Sequence, residues 1–146
     1  MKRLFVDANI LLDAVLQRPQ DPDEAMELLA SGERRKVELV TTALSIGVVL
    51  YVLQPGDAAK KGPRLQAARR TLTDLLACLK VVPIESHHFM QSAASTFGDL
   101  EDGAQYFAAT ASGPLDGVVT RDKDFKGNVA VPIFTAKQAL ALIRRS

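Results

Sequence analysis

Six acidic residues stand where apolar runs of the chain begin or end. Asp7 follows Leu4-Phe5-Val6 directly, Asp122 and Asp124 come just after Val118-Val119-Thr120, and Asp99, Glu101 and Asp102 precede a run rich in alanine and aromatic residues. If the apolar runs are strands of an open parallel sheet, their carboxyl ends are where ligands bind. Several carboxylates converging there would repel one another unless protons or a hard cation neutralised them. Oxygen donors without paired His or Cys suit Mg²⁺ or Mn²⁺. An acid at a helix start is also an ordinary cap that complements the helix dipole, so position alone leaves Asp99, Glu101 and Asp102 open. Asp7, set between two apolar segments, must be partly buried and needs partners.

The elements that would hold these acids follow from periodicity. Residues 3–6 predict a strand. Residues 9–16 predict a helix with Asn9 as its cap, broken by Pro19 and Pro22, and Asp21 can cap the next helix. That helix carries Ala25, Met26, Leu28 and Leu29 on one face and stops at Gly32. A strand over 37–42 leads into an almost wholly apolar segment, 44–53, which predicts a buried helix ending before Pro55-Gly56. After a polar loop over 56–63, residues 64–79 are amphipathic. A strand over 81–84, a helix from a Ser86 cap to about residue 96, a helix over 101–112, strands over 116–120 and 129–134, and a helix capped by Thr135 complete the chain. Strands alternating with helices predict an α/β fold whose parallel sheet is covered on both faces.

Three stretches resemble the motifs of PIN domains. Val6-Asp7-Ala8-Asn9-Ile10-Leu11-Leu12-Asp13 is similar to the opening motif, Asp99-Leu100-Glu101-Asp102-Gly103-Ala104-Gln105-Tyr106-Phe107-Ala108-Ala109 to the third, and Val118-Val119-Thr120-Arg121-Asp122-Lys123-Asp124-Phe125 to the last. Their order and spacing extend the resemblance over essentially the whole chain. It implies a single domain over residues 1–146, a three-layer α/β/α sandwich around a central, mostly parallel sheet. It also implies a ribonuclease site in which Asp7, Asp102 and Asp122 or Asp124 hold Mg²⁺ or Mn²⁺, with Asp99 or Glu101 close by. Asn9 and Thr120 would orient Asp7. Bacterial members of the VapC type are toxins that cut RNA, are held inactive by a cognate antitoxin protein and commonly dimerise, so RNA, an antitoxin and a second copy are the partners implied.

Two positions depart from the family pattern. Ala8 replaces the usual Thr of the first motif, and Val48 stands where the second motif usually places a Glu. Valine binds no metal, which opens the alternative of a PIN fold with weakened or lost catalysis, kept as a binding or regulatory module. A Val48 that aligns with this Glu should point toward the acids, and Glu101 is the first substitute for the missing carboxylate. A receiver-like phosphoryl-aspartate domain fits poorly, because the opening acid is single.

The chain has 146 residues, 47% apolar and 24% charged. These values exclude whole-chain disorder and suit one domain with a real core. No apolar run reaches the roughly 20 residues that span a bilayer, and no secretory leader is legible before Asp7, so a cytoplasmic protein without membrane contact is expected. The lone Cys78 reads as a small buried hydrophobe. The formal net charge is +1. Without the six candidate acids, however, 18 basic side chains face eleven acidic ones, a footprint suited to a phosphate backbone. Lys60, Lys61 and Arg64 form the basic run expected to meet RNA. The adjacent His87 and His88 read as a solvated helix start, since successive helical side chains diverge by about 100°.

Overall fold

The computed structural model describes residues 1–16 and 22–146. The sheet is built from β1 (Arg3–Val6), β2 (Glu38–Thr42), β3 (Lys80–Val82), β4 (Gly117–Val119) and β5 (Ile133–Phe134), in the order β3-β2-β1-β4-β5. Every pairing is parallel. Chain order runs outward to one side of β1 through β2 and β3, then restarts on the other side with β4. β1 and β4 therefore flank the point where the direction of winding reverses, the place at which open α/β sheets form a binding crevice. The register pairs Val6 with Val119, so the residues that follow, Asp7 and Thr120, leave the sheet side by side.

Alternation along β1 divides the core. Leu4 and Val6 face one layer with Leu39 and Val119, against α1 (Ala8–Leu16), α2 (Pro22–Glu33) and α7 (Ala136–Arg144). Phe5 faces the other with Val40, Val82 and Val118, against Ala109 of α6 (Leu100–Ala111) and the rings of Phe97 and Phe125. α5 (Ser86–Ala93) packs on α6. α3 (Ala43–Leu53) and α4 (Gly62–Cys78) add Val49 and Leu75 to the first layer. The chain is thus the expected three-layer sandwich, with a sheet that is wholly parallel.

Several local expectations are corrected. Asn9 lies inside the first turn of α1 rather than capping it. Gly32 does not stop α2, which runs to Glu33; the turn beyond it is made by Arg35 at φ 59°. Gly32 is needed for another reason: a Cβ there would stand 2.4 Å from the Cys78 carbonyl oxygen and 2.8 Å from Leu39 Cδ1. Met26, expected on the buried face, is 46% exposed. α3 is not buried throughout: Ser45 and Val49 are, whereas Tyr51 is 79% exposed. The 56–63 loop contains a short 3₁₀ turn, Asp57–Lys60. α5 ends at Ala93, and the last strand shortens to Ile133–Phe134, while Val129 and Val131 line a surface cleft. The break expected at Pro19 and the cap expected at Asp21 lie outside the described residues.

Candidate metal centre

Asp7 follows β1 directly and is held from three sides. Its Oδ1 accepts the Ala8 amide at 2.8 Å. Its Oδ2 accepts the Thr120 hydroxyl at 2.7 Å and the Asn9 side-chain amide at 3.2 Å. Thr120 is a hub: the same oxygen accepts Asn9 Nδ2 at 3.2 Å and the backbone amide of Asp122 at 2.9 Å. Asn9 Oδ1 in turn accepts the Arg121 amide at 3.2 Å. One hydroxyl and one carboxamide thereby fix the chain after β4 against the chain after β1. Asn9 could not do this as a cap, because capping would turn its side chain onto its own helix.

Asp102 arrives on the opposite wall, in the first turn of α6. Asp99 caps that helix, its Oδ1 accepting the Asp102 amide at 3.1 Å. Gly103 allows α6 to sit this close to its neighbours, since a Cβ there would meet Ser92 Oγ at 2.3 Å and Phe97 Cγ at 3.0 Å. Carboxylate oxygens of Asp7, Asp102 and Asp122 lie within 4.8 Å of one another, the first two residues buried and the third half-buried. No other His, Cys, Asp or Glu joins them among the described residues.

The electrostatics follow from that crowding. Burial pushes the Asp7 carboxyl up, against the downward pull of its bonds from Thr120 and Ala8. Burial, the adjoining Asp122 carboxyl and the charge of Asp7 push Asp102 up to about 9. Asp122 is drawn down by the same Asp102 contact. Burial and the neighbouring carboxyls thus favour the protonated form of Asp102. If Asp102 and Asp122 are both ionised, Asp102 Oδ2 is a buried acceptor with no hydrogen-bond partner, which is costly unless a proton or a cation satisfies it. Three hard oxygen donors, one of them orphaned, fit a divalent cation of the Mg²⁺ or Mn²⁺ kind.

Asp124 is not in the cluster. Its Oδ2 accepts the Asp99 amide at 2.7 Å, so it ties the chain after β4 to the start of α6. The choice between Asp122 and Asp124, open in the sequence, falls geometrically to Asp122. Glu101 is exposed on the first turn of α6, outside the cluster. Lys60, Lys61 and Arg64 are exposed on the 3₁₀ turn and the start of α4; Lys60 faces Asp57 at 3.9 Å. Val48 is half-buried and packs against the apolar cluster of the first layer. His88, expected in solvent, is 4% exposed, its Nδ1 accepting the Glu85 amide at 2.9 Å.

Two further residues near the centre leave little trace in the sequence pattern. Asp13, 2% exposed, receives a bidentate pair from Arg121, both distances 2.8 Å; its one signal is its place closing the first motif. Gln105, 1% exposed, accepts Thr42 Oγ1 at 2.9 Å and also the Ser45 hydroxyl, joining α6 to the start of α3. A glutamine inside an alanine-rich apolar helix is the available clue.

A wholly parallel α/β sandwich that gathers three carboxylates at its topological switch point is the class of protein the fold and site define. Residues 3–124 match the PIN domain family model, and the chain belongs to that family. It is 25% identical over 129 residues to Ribonuclease VapC1 of Aquifex aeolicus (strain VF5), covering 85% of this chain and 84% of that protein. Among solved structures it is similar to Mycobacterium tuberculosis VapC20, a Sarcin-Ricin loop cleaving toxin, with a TM-score of 0.59 and 16% identity over 88% of this chain and 98% of that one. VapBC2 from Rickettsia felis bound to a promoter DNA fragment gives a TM-score of 0.60 and 15% identity over 91% and 98% of the two chains. FitAB bound to IR36 DNA gives 0.64 and 17% over 91% and 94%. The resemblance drawn from the three motifs is borne out in family and fold. No described helix is long and apolar enough to cross a membrane.

Proposed function

We propose that this protein is a divalent-metal-dependent endoribonuclease and the toxin of a toxin–antitoxin pair. The observation that carries the reading is the convergence of Asp7, Asp102 and Asp122 with Asp102 Oδ2 left without a hydrogen-bond partner. These three would hold Mg²⁺ or Mn²⁺. The cation supplies charge neutralisation at the scissile phosphate and an acidified water at neutral pH. The chain's own residues do the positioning. Thr120 and Asn9 fix the Asp7 carboxylate, and the Asp99 cap presents Asp102. Holding a cation, Asp102 would be ionised, its raised carboxyl pKa marking the position that metal would stabilise as the anion. Glu101, exposed at the rim, would hold water beside the centre. RNA as substrate and an antitoxin as partner are supported by the relatives' names, Ribonuclease VapC1 and the VapBC complexes. Lys60, Lys61 and Arg64 would add charge toward RNA. A homodimer would cover apolar surface such as Tyr51 on α3.

Incubating the protein with an RNA pool in Mn²⁺ should give cleavage that stops in chelator and is absent in Asp7→Asn. Equal cleavage by Asp7→Asn would place the activity elsewhere. Val48 in place of a fourth acid supports a second reading, a PIN fold that binds without cutting. Retained Mn²⁺ binding with no cleavage of any RNA would select it.

A further inference from the structure

Beside Asp122 the surface opens into a cleft of about 620 Å³, bounded by Lys123 and Lys126 and floored by Val129, Val131 and Ile133. Its volume is in the range that takes one small organic molecule or nucleotide, about 300–1,000 Å³. The two threonines on its wall are already engaged. The Thr120 hydroxyl donates to Asp7 and accepts two donors, and Thr135 caps α7 by accepting the Gln138 amide. Arg121, also on the wall, makes a bidentate pair with Asp13, and Asp122 marks the edge toward the carboxylate cluster. The Lys123 and Lys126 ammonium groups and the aliphatic floor face a ligand between them. Both lysines are exposed, and among the described residues no carboxylate lies within ion-pair distance of either. Placed next to three carboxylates, that pairing of cations with an apolar shelf suits a ligand that is anionic at one end and flat and weakly polar at the other.

We propose that this cleft is a nucleotide subsite: Lys123 and Lys126 hold a phosphate of the single-stranded RNA next to the one being cut, and Val129, Val131 and Ile133 lie under its base. The proposal rests on the ribonuclease reading and extends it to substrate contact. An aliphatic floor touches any base face without hydrogen-bond readout, so the subsite would set position on the strand more than sequence. A duplex does not offer an unstacked base, which restricts the subsite to single-stranded RNA.

The test is binding of a fluorescent single-stranded oligoribonucleotide, followed by anisotropy in chelator so that nothing is cut. Lys123→Ala/Lys126→Ala should weaken binding by about tenfold at low salt. It should also lower the slope of log affinity against log salt by about 0.7, for the one phosphate no longer neutralised. Lys123→Arg/Lys126→Arg should retain binding. Arg34→Ala/Lys36→Ala removes the same charge at the turn before β2, at the opposite end of the sheet, and should change affinity little. Val131→Gln should weaken binding without altering the salt slope. Wild-type affinity in Lys123→Ala/Lys126→Ala, or an equal loss in the Arg34/Lys36 pair, would overturn the subsite. So would absence of RNA binding by the wild-type protein. Mn²⁺-dependent cleavage by the wild type, measured separately, reads the ribonuclease assignment and stands or falls independently.

Discussion

The carboxylate of Asp124 accepts the backbone amide of Asp99 at 2.7 Å, and Asp99 in turn caps the helix that presents Asp102. The acid that stands outside the cluster thus sets the position of one inside it. A carboxamide oxygen can accept the same bond, so Asp124→Asn should keep Mn²⁺ affinity within a few-fold. Asp124→Ala removes the acceptor and should weaken Mn²⁺ binding about 10-fold or more, as loss of an orienting partner generally does. Calorimetric titration of Mn²⁺ into both variants checks this. Equal affinities in the two would show that the Asp99 bond has no bearing on the centre.

Without metal, stability should fall as pH rises. Asp102 is raised from an ordinary value of 3.8 to about 9, so between those limits the folded protein keeps a proton that the unfolded chain releases. Folding then binds protons, and stability declines with pH across that window. Asp7 is shifted the same way by burial. Asp122 is shifted down; its contribution is lost only as pH falls through its lowered value, below the window, and does not cancel the trend. Melting temperatures in chelator should therefore decrease from about pH 5 to about pH 8.5. Mn²⁺ should raise the melting temperature most at the alkaline end, where no proton competes. Asp102→Asn should flatten the pH slope and remove the Mn²⁺ response together.

The bidentate pair between Asp13 and Arg121 should be worth more than a surface ion pair, because the Asp13 side chain is 3% exposed. Arg121→Ala leaves a buried carboxylate uncompensated and should cost roughly 3 kcal/mol. Adding Asp13→Asn to Arg121→Ala removes the stranded charge and should recover part of that loss. Urea unfolding of the two single variants and the double variant measures the recovery. A double variant no more stable than Arg121→Ala would mean that Asp13 tolerates isolation.

Gln105→Leu should destabilise by about 2 kcal/mol, since the buried hydroxyls of Thr42 and Ser45 lose their shared acceptor. Urea unfolding measures the cost, and a variant as stable as the wild type would show that the hydroxyls find other partners.

Gln105 also marks the limit of what sequence pattern conveys. Asp7, Asp102 and Asp122 are legible because each sits at the end of an apolar run, and a chain folding by alternation of strand and helix must bring such ends to one edge. Asn9 has the sequence signature of a cap, because a first-turn residue looks the same whether it bonds its own helix or a neighbouring loop. The composition of α3 suggests full burial, but composition reports hydrophobicity and not which side of a helix is covered, and Tyr51 stands in solvent. Asp124 and Asp122 are two residues apart in one motif; only the course of the 3₁₀ turn over Lys123–Phe125 sends one to the cluster and the other to Asp99. The burial of His88 goes with its bond from the Glu85 amide, which no pattern of apolar residues encodes.

Val48 stands where the second motif of the family usually places a Glu. Ser45, three residues earlier on α3, faces α6 through its bond to Gln105, and residues three apart share a helix face. Val48 itself is half-buried and packs against the first layer. Val48→Glu should therefore lower the metal-free melting temperature, because a β-branched apolar group leaves that layer and a fourth carboxylate joins a crowded site. The same variant should show a larger rise with Mn²⁺ and faster RNA cleavage, since the added carboxylate offers the cation another hard ligand. Thermal unfolding with and without Mn²⁺ reads both halves in one experiment. A lower metal-free melting temperature with unchanged Mn²⁺ affinity would make Val48 a packing residue alone.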